Sequence, residues 1–408
     1  MKKLLLLLGT LLAFFIATAQ YSDPNIPKPT SGYGADGSHT VAVKSFVNPA
    51  YPSRNIVIYH PGDIATKVPT IFYSHGYGGN SPVSITGMLE FVAKKGYAIV
   101  FVPYQTLITT VEENYDNLLN GFRKAARDYP GIIDTTKVGF MGHSFGGGAC
   151  IANAYKCFTQ NNWGSQGRFI YPLAPWYAYN ISQTELENFP ADTKLLMEVF
   201  NEDDVNDHRL AIDIFNNINI PVAEKDYVLM RSDTINGYIY AADHSVPNST
   251  VAFNALDYYG YFRFIDALSD YTFNGNQAGK QTALGNGSVA QITMPVGLKP
   301  LQVQDYPLVV HPQTMYNFPC SVATNLRQDN CPSGIFTFTG NGNWNVQANW
   351  KNRAMPPNSL SGNMSIIIDP VLSGECVLNV PQQVGSSMQV VVKAGKKFRI
   401  NGNLRIGN

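Results

Sequence analysis

Charged residues are scarce in this sequence of 408 residues. They make up 14% of the chain, whereas soluble proteins average roughly 25%. The 29 basic and 29 acidic side chains balance, so the formal net charge is zero. Binding to phosphates requires a concentrated basic surface, and the composition therefore argues against a nucleic-acid partner.

Cysteines are few as well, and none of the five belongs to a Cys-x-x-Cys pair. Zinc and dithiol redox motifs thus have no support, and we predict that the protein needs no metal or organic cofactor. Cys320 and Cys331 bracket a short polar loop and are the predicted disulfide of an exported chain. Cys150 and Cys157 lie too far apart on one straight predicted helix to bond. The odd number leaves at least one thiol free or with an unassigned partner.

Apolar runs long enough to cross a bilayer, about 18 residues or more, are also missing. The longest apolar segment, Leu4 to Ile16, follows two lysines and ends before the small residues Ala17-Thr18-Ala19. This order is typical of a secretory signal peptide, which we predict over residues 1–19. The sequence therefore predicts a secreted or periplasmic monomer without a membrane span.

Short β-branched runs alternate with helical periods from about Val41 to Phe273, which predicts a mostly parallel sheet covered by helices. The predicted strands are Asn55–Tyr59, Thr70–Ser74, Tyr97–Val102, Lys137–Met141, Phe169–Leu173, Leu195–Phe200 and Asp226–Met230. The predicted helices are Ile85–Lys95, Val111–Tyr129, Phe145–Phe158, His208–Ile218 and the aromatic segment Val251–Phe273, which should cover one sheet face. In such a sheet the strand C-termini share one edge, where ligands bind.

The run Gly142-His143-Ser144-Phe145-Gly146 lies between a predicted strand and a predicted helix, the context that a G-x-S-x-G motif requires. Glycines at 142 and 146 allow a tight elbow that lifts the Ser144 hydroxyl above the sheet edge. Unpaired N–H groups at the start of the following helix favour negative charge. Ser144 is therefore the predicted nucleophile and the Phe145 N–H a predicted oxyanion donor; the alternative is a plain strand–helix turn.

A second glycine-rich turn, His75-Gly76-Tyr77-Gly78-Gly79, follows the strand Thr70–Ser74. Gly76 and Gly78 allow the backbone to direct its N–H groups toward a pocket. We predict that the Tyr77 N–H is the second oxyanion donor. An ordinary glycine loop is the alternative.

A serine nucleophile on this type of sheet is followed in the chain by an acid and then by a histidine. The acid is expected among Glu202, Asp203 and Asp204, directly after the strand Leu195–Phe200. Only His244 lies in a loop between the last strand and the last helix, where the general base belongs; the alternative is a surface histidine. The excluded histidines are His39, His60, His75, His143, His208 and His311.

Three segments resemble bacterial cutinases and poly(ethylene terephthalate) hydrolases of the α/β-hydrolase superfamily: Gly142–Gly148, Ala174-Pro175-Trp176 and Gly76-Tyr77. Dienelactone hydrolases and chlorophyllases are more distantly similar. The resemblance covers roughly residues 40–270 and implies an α/β-hydrolase fold. It departs from the polyesterase pattern in the His-Gly-Tyr-Gly-Gly turn, in the Asp-His-Ser-Val-Pro loop, and in having no cysteine between residues 157 and 320.

This resemblance also implies roles for individual residues. The superfamily places its acid two residues before an aliphatic one, which selects Asp203 ahead of Val205. Asp204 is the alternative acid and would otherwise cap the next helix. An aromatic residue and a tryptophan flank the scissile ester in polyester hydrolases, which corresponds to Tyr77 and Trp176 here. Sheet-edge packing is the alternative role for Trp176.

Together these inferences predict a secreted carboxylic-ester hydrolase that uses Ser144, His244 and Asp203 and forms an acyl-enzyme. The expected substrate is an ester, and a polymeric one if the protein acts as a cutinase or polyesterase. A serine peptidase and an esterase of acetyl-xylan type are alternatives. A non-catalytic binding protein ranks last, because the triad and both oxyanion turns are present.

The predicted domain boundaries follow a change in composition after Phe273. Residues 274–335 are rich in Gly, Asn, Gln and Pro and are expected to be irregular. From Thr337 onward short alternating runs predict a small all-β module, with solenoid-like stacked rungs as one form. The expected units are a catalytic domain with an irregular extension over residues 20–318, a linker over 319–336, and the module over 337–408.

Overall fold

The computed structural model describes residues 20–248, 252–309, 311–360, 364–386 and 388–407. The predicted signal peptide, residues 1–19, lies outside these described residues, so secretion stays a prediction. Among the described residues, no helix combines the length and apolar character that crossing a membrane requires.

A nine-stranded sheet organises the larger part of the chain. Its strands are β1 Val41–Val47, β2 Asn55–Pro61, β3 Val68–Ser74, β4 Ala98–Phe101, β5 Ile133–His143, β6 Gly167–Leu173, β7 Lys194–Phe200, β8 Lys225–Met230 and β9 Gln302–Gln304. They run in the order β1-β2-β4-β3-β5-β6-β7-β8-β9. The pairs from β4 to β8 are parallel, and β1, β2 and β9 join antiparallel. The predicted mostly parallel sheet is therefore confirmed.

Helices cover both faces of this sheet. They are α1 Thr86–Lys94, α2 Val111–Asp128, α3 Phe145–Asn161, α4 Gln183–Glu187, α5 His208–Asn217, a π-helix Leu256–Phe262 that continues into α6 Arg263–Asn274, α7 Gln277–Ala283 and α8 Val289–Ile292. One apolar core lies between the sheet and α2, α3 and α5, and a second lies between the sheet and α1, the π-helix and α6. The aromatic segment near the end of the sheet region thus covers one face, as predicted.

The region after Phe273 is more ordered than its composition indicates. Residues 274–335 were expected to be irregular, but they contain α7, α8 and the edge strand β9. Asn276 and Ser288 accept hydrogen bonds from the first turns of these two helices, which is the usual role of capping residues. The prediction was wrong because helices this short show little of the 3.6-residue period.

The C-terminal part forms three parallel three-stranded sheets. Their strands are β10 Ile335–Phe338, β11 Gly342–Asn343, β12 Ser359–Leu360, β13 Ser365–Ile368, β14 Glu375–Leu378, β15 Gln382–Val384, β16 Gln389–Val392, β17 Lys397–Ile400 and β18 Leu404–Ile406. The strands pair within the three sheets in the orders β10-β13-β16, β11-β14-β17 and β12-β15-β18. Each rung contains one strand of each sheet, so three rungs stack. Trp344, Trp350, Ile366 and Cys376 belong to the apolar core inside. The predicted β module is thus a short solenoid.

Glu198 is a buried acid within the second core, on strand β7. Its carboxylate accepts a hydrogen bond from the Tyr171 hydroxyl. Burial raises the pKa of Glu198 from 4.5 to about 8, although the Tyr171 hydrogen bond and the Arg263 charge act in the opposite direction. Because the folded pKa lies above the unfolded one, the stabilisation is complete below pH 4.5 and is lost as the pH rises through about 8.

This shift predicts a pH-dependent difference between the natural chain and Glu198→Gln, whose amide does not titrate. Between about pH 5 and about pH 8 the natural chain should lose up to about 1.4 kcal/mol of unfolding free energy per pH unit relative to the variant. Urea unfolding at several pH values measures this difference. The exposed Glu202→Gln is the control, and a pH-independent difference for Glu198→Gln would contradict the prediction.

Candidate active site

Ser144 stands at the turn where β5 ends and α3 begins. Its backbone has φ 56° and ψ −121°, a sparsely populated conformation that costs energy and concentrates at functional sites. A Cβ on Gly142 would collide with the Gly146 carbonyl, and one on Gly146 with the Ser74 carbonyl. The tight elbow that holds Ser144 therefore requires both glycines, as the sequence motif indicated.

Asp203 and His244 come together beside this turn. Asp203 is fully buried in the loop after β7, and its Oδ2 lies 2.8 Å from His244 Nδ1. Its other oxygen accepts the backbone N–H groups of Val205 at 2.8 Å and Asn206 at 3.0 Å. The His244 side chain is 18% exposed. With Nδ1 directed at the carboxylate, Nε2 is the nitrogen left for proton transfer.

Ser144 and His244 line the same cavity. Within the described residues, however, no hydrogen bond joins Ser144 Oγ to His244 Nε2. The hydroxyl oxygen instead accepts a hydrogen bond from Asn206 Nδ2 at 3.3 Å. Catalytic hydrogen bonds often tighten only when a substrate binds, so this arrangement is compatible with proton transfer between the two side chains.

Asp204 points away from this group. Its side chain is exposed, and its backbone carbonyl accepts the Asn317 N–H at 2.8 Å. The expected role of Asp204 as a helix cap is wrong, because Asp207 caps α5 by accepting the Arg209 N–H at 3.0 Å. A capping side chain must directly precede the first helical residue, and the helix begins at His208.

The hydrogen bonds of the preceding carbonyl fix the direction of the Phe145 N–H, and Phe145 lines the cavity. The Ser144 carbonyl accepts N–H groups from Gly147 at 2.9 Å, Gly148 at 3.2 Å and Trp176 at 2.8 Å. In a trans peptide the carbonyl and the next N–H point in opposite directions. The Phe145 N–H, at the start of α3, has no partner among the described residues. It is thus free to bind an oxyanion.

A similar arrangement orients the Tyr77 N–H. The Gly76 carbonyl accepts the Gly79 N–H at 3.0 Å and lies 2.7 Å from His75 Nδ1. By the same trans geometry the Tyr77 N–H points away from these partners, and it too is unpaired within the described part of the chain. Gly76 and Tyr77 both line the cavity. The structure therefore brings the two predicted donors to one cavity.

His75 fixes this second turn, a role that the sequence alone did not reveal. The Tyr104 N–H donates to His75 Nε2 at 3.1 Å, so the proton resides on Nδ1 and is donated to the Gly76 carbonyl. The two rings stack at 4.0 Å. Burial lowers the pKa of His75 to about 4, which keeps the imidazole neutral and in this tautomer near neutral pH.

His143 packs against the candidate base. Its ring centre lies 4.6 Å from that of His244, and its Nδ1 is 2.8 Å from Asn248 Nδ2. Burial is the main cause of a pKa that lies well below the usual value for histidine. His143 thus contributes a neutral ring that supports His244 without adding charge beside it.

The cavity has a volume of about 700 Å³, and aromatic rings form much of its wall. The Phe145 ring lies between Tyr77, at 6.1 Å, and Trp176, at 5.5 Å. Tyr77 is 63% exposed. Trp176 also packs against Tyr177 and Tyr179, so this residue, predicted to flank the scissile ester, is part of an aromatic cluster at the cavity wall.

Phe318 completes this wall, and sequence reasoning missed it. It lines the cavity with its ring 5.7 Å from Trp176, and its N–H donates to the Val205 carbonyl at 2.8 Å. The predicted disulfide between Cys320 and Cys331 is confirmed and closes the loop that follows. The end of the predicted catalytic domain therefore packs against the loop that carries Asp203, and Cys320 in the expected linker donates its N–H to Asp207 Oδ2 at 3.0 Å. The cysteine pair is the sequence signal that marks this segment.

Metal-binding geometry is missing from the described ranges, where no group of three or more His, Cys, Asp or Glu side chains is arranged to hold an ion. The chain has no match among protein-family models. A search of curated proteins finds no significant relative either.

Proposed function

We propose that this protein is a serine hydrolase with an α/β-hydrolase fold that cleaves carboxylic esters through an acyl-enzyme. One observation carries the proposal: Asp203 holds His244 at 2.8 Å beside a serine at a strained strand–helix turn, and two N–H groups without partners among the described residues belong to residues that line the same cavity. The succession of β5, elbow and α3 near the centre of a mostly parallel sheet supports the fold assignment.

In the proposed acylation, Ser144 Oγ attacks the ester carbonyl carbon and its proton passes to His244 Nε2. The carbonyl oxygen becomes negative, and the N–H groups of Tyr77 and Phe145 stabilise it. The bond to the alcohol breaks, and the alcohol leaves with the proton from His244. Asp203 accepts the Nδ1 hydrogen bond throughout and stabilises the imidazolium.

Deacylation repeats these steps with water as the nucleophile. A water proton passes to His244 Nε2 while the water oxygen bonds to the acyl carbon. The bond to Ser144 Oγ then breaks, and the proton returns from His244 to Oγ. The same two N–H groups stabilise the second oxyanion. The products are a carboxylic acid and the free serine.

The exposed apolar side chains in and beside the cavity wall favour an uncharged, apolar substrate. Apolar side chains next in sequence to lining residues of the cavity are exposed, and Ile108, which precedes Thr109 of the cavity wall, is fully exposed with a φ of 59°. A β-branched residue rarely adopts this conformation. Leu107 precedes it, and Val83 and Tyr77 are also exposed. Exposed apolar patches of this kind mark sites where ligands or other surfaces bind. A cutinase-like preference for apolar esters is consistent with these side chains and stays a prediction.

A fluorophosphonate probe tests the proposed function directly. Attack by Ser144 Oγ on phosphorus should displace fluoride and leave a covalent adduct on that residue. Peptide mapping by mass spectrometry locates the adduct, and Ser144→Ala should abolish it. A panel of p-nitrophenyl esters, acetylated xylan, polyester film and peptides then separates the hydrolase classes. An unlabelled natural chain without esterase activity would overturn the proposal.

Within this proposal we expect Phe318 to make the enzyme selective for aromatic esters. Phe318 is 41% exposed, so its ring has a free surface for an aromatic group. An aromatic contact contributes about 0.5–1.5 kcal/mol, so Phe318→Ala should lower kcat/KM for an aromatic ester roughly two- to thirteenfold. A small acetate ester should be affected little. Leu326→Ala, exposed in the disulfide loop, is the control, and equal losses on both esters would assign Phe318 a purely structural role.

A further inference from the structure

Asn206 is a buried amide that contacts both the candidate acid and the candidate nucleophile. It is 2% exposed, and its backbone N–H donates to Asp203 Oδ1 at 3.0 Å. Its side-chain Nδ2 donates to the Ala174 carbonyl at 2.8 Å and to Ser144 Oγ at 3.3 Å. A single residue therefore links the acid loop, the loop after β6 and the reacting oxygen.

The orientation of this amide follows from its partners. The Ala174 carbonyl can only accept a hydrogen bond, so the nitrogen, and not the oxygen, must face it. The second N–H of the same planar group is then directed at Ser144 Oγ. A backbone bridge from Asn206 to Phe318 holds the residue from the other side. Asn206 is thus placed to donate to the serine oxygen.

The oxygen of the same amide lacks a compensating contact in the described part of the chain. Asn206 Oδ1 is buried and has no hydrogen-bond partner among the described residues. Leaving a buried acceptor unpaired costs stability, and an apolar side chain of similar size would avoid that cost. Residues that reduce stability in this way often serve function. The N–H groups of Asn206 are what an apolar replacement could not supply.

We propose that Asn206 is a further catalytic residue, which activates Ser144 by donating a hydrogen bond to Oγ. This inference rests on the proposed function. The donated N–H occupies one lone pair of the hydroxyl oxygen and leaves its proton for His244. As the proton passes to His244 Nε2 and the bond from Oγ to the acyl carbon forms, the N–H stabilises the negative charge that develops on Oγ.

The same contact acts in the second half of the reaction. Oγ is then the leaving atom, and negative charge returns to it as its bond to the acyl carbon breaks and before the proton from His244 arrives. A hydrogen bond to a charged group is stronger than one to a neutral group. Asn206 therefore accelerates both acylation and deacylation, while the two oxyanion donors act on the carbonyl oxygen.

Asn206→Leu tests this role, because leucine has the same branched arrangement of side-chain heavy atoms and no N–H donor. Pre-steady-state hydrolysis of a p-nitrophenyl ester gives acylation and deacylation rate constants per active site, and fluorophosphonate labelling gives the rate of attack by Oγ. We expect all three rates to fall about 10- to 100-fold, with little change in substrate affinity. Asn217→Leu is the matched control, since Asn217 is a buried asparagine bonded to Asp213 on α5.

The control should lose thermal stability and keep its rates. If Asn206→Leu does not fold, the same rates are measured on Asn206→Ser. A serine side chain is too short to reach Oγ from this backbone, and it keeps a polar group in the pocket. Unchanged rates per active site in the folded variant would overturn the role of Asn206. A natural chain that the probe does not label would instead overturn the proposed function.

Discussion

Ser144→Ala should reduce ester hydrolysis by at least about a thousandfold, since the loss of a triad nucleophile generally costs more than this. The alanine removes only the atom that would bond to the substrate. Hydrolysis of a p-nitrophenyl ester, with the protein concentration corrected for folded material, measures the loss. Ser321→Ala, at an exposed serine outside the cavity, is the control.

The thermal unfolding temperature of Ser144→Ala should change little. Within the described residues the Ser144 hydroxyl has one hydrogen bond, the 3.3 Å contact from Asn206, and its strained φ is retained by alanine. The expected change in unfolding free energy is within about 1 kcal/mol. Residual activity above a thousandth of that of the natural chain, on a variant with normal stability, would point to a different nucleophile.

Asp203→Asn should reduce the turnover rate about ten thousandfold, as comparable changes to a triad acid do. The carboxylate accepts the His244 Nδ1 proton at 2.8 Å, whereas an amide nitrogen at that position cannot accept it. The imidazole would then favour the opposite tautomer, with its proton on Nε2 and no base for the serine. Steady-state kinetics at several pH values measures the effect.

Asp204→Asn is the matched control for this experiment, since it makes the same chemical change one residue away. Its side chain is exposed and its contact to Asn317 uses only the backbone, so the rate should stay within about twofold. A loss for Asp204→Asn as large as that for Asp203→Asn would show that the acid loop rearranges during catalysis.

Local sequence patterns were sufficient for the elements around the site. β5, the glycine elbow and α3 follow from a β-branched run, two glycines that exclude a Cβ, and a helical period. The order of Ser144, the acid loop and His244 along the chain also limited the candidates. These features depend on residues close in sequence, so their physical causes are visible there. The small all-β module follows from its alternating runs for the same reason, with the solenoid as one of its expected forms.

Local pattern did not separate the neighbouring acids Asp203 and Asp204, and only the family resemblance favoured Asp203. The structure distinguishes their surroundings: the N–H groups of Val205 and Asn206 bind the Asp203 carboxylate, whereas the Asp204 side chain is exposed. The short helices α7 and α8 show too little periodicity to be predicted, although Asn276 and Ser288 cap them. These features depend on where the folded backbone directs its N–H groups, which the composition of the chain does not reveal.

The sequence by itself determined the mostly parallel sheet, the elbow at Ser144, the position of His244 and the pairing of Cys320 with Cys331. Only the tertiary structure decided that Asn206 donates to the serine oxygen, that His75 turns the Tyr77 N–H outward, and that Phe318 closes the cavity. The reason is distance along the chain: Phe318 lies more than a hundred residues from the acid loop that it contacts, and such contacts form only when the whole sheet is assembled.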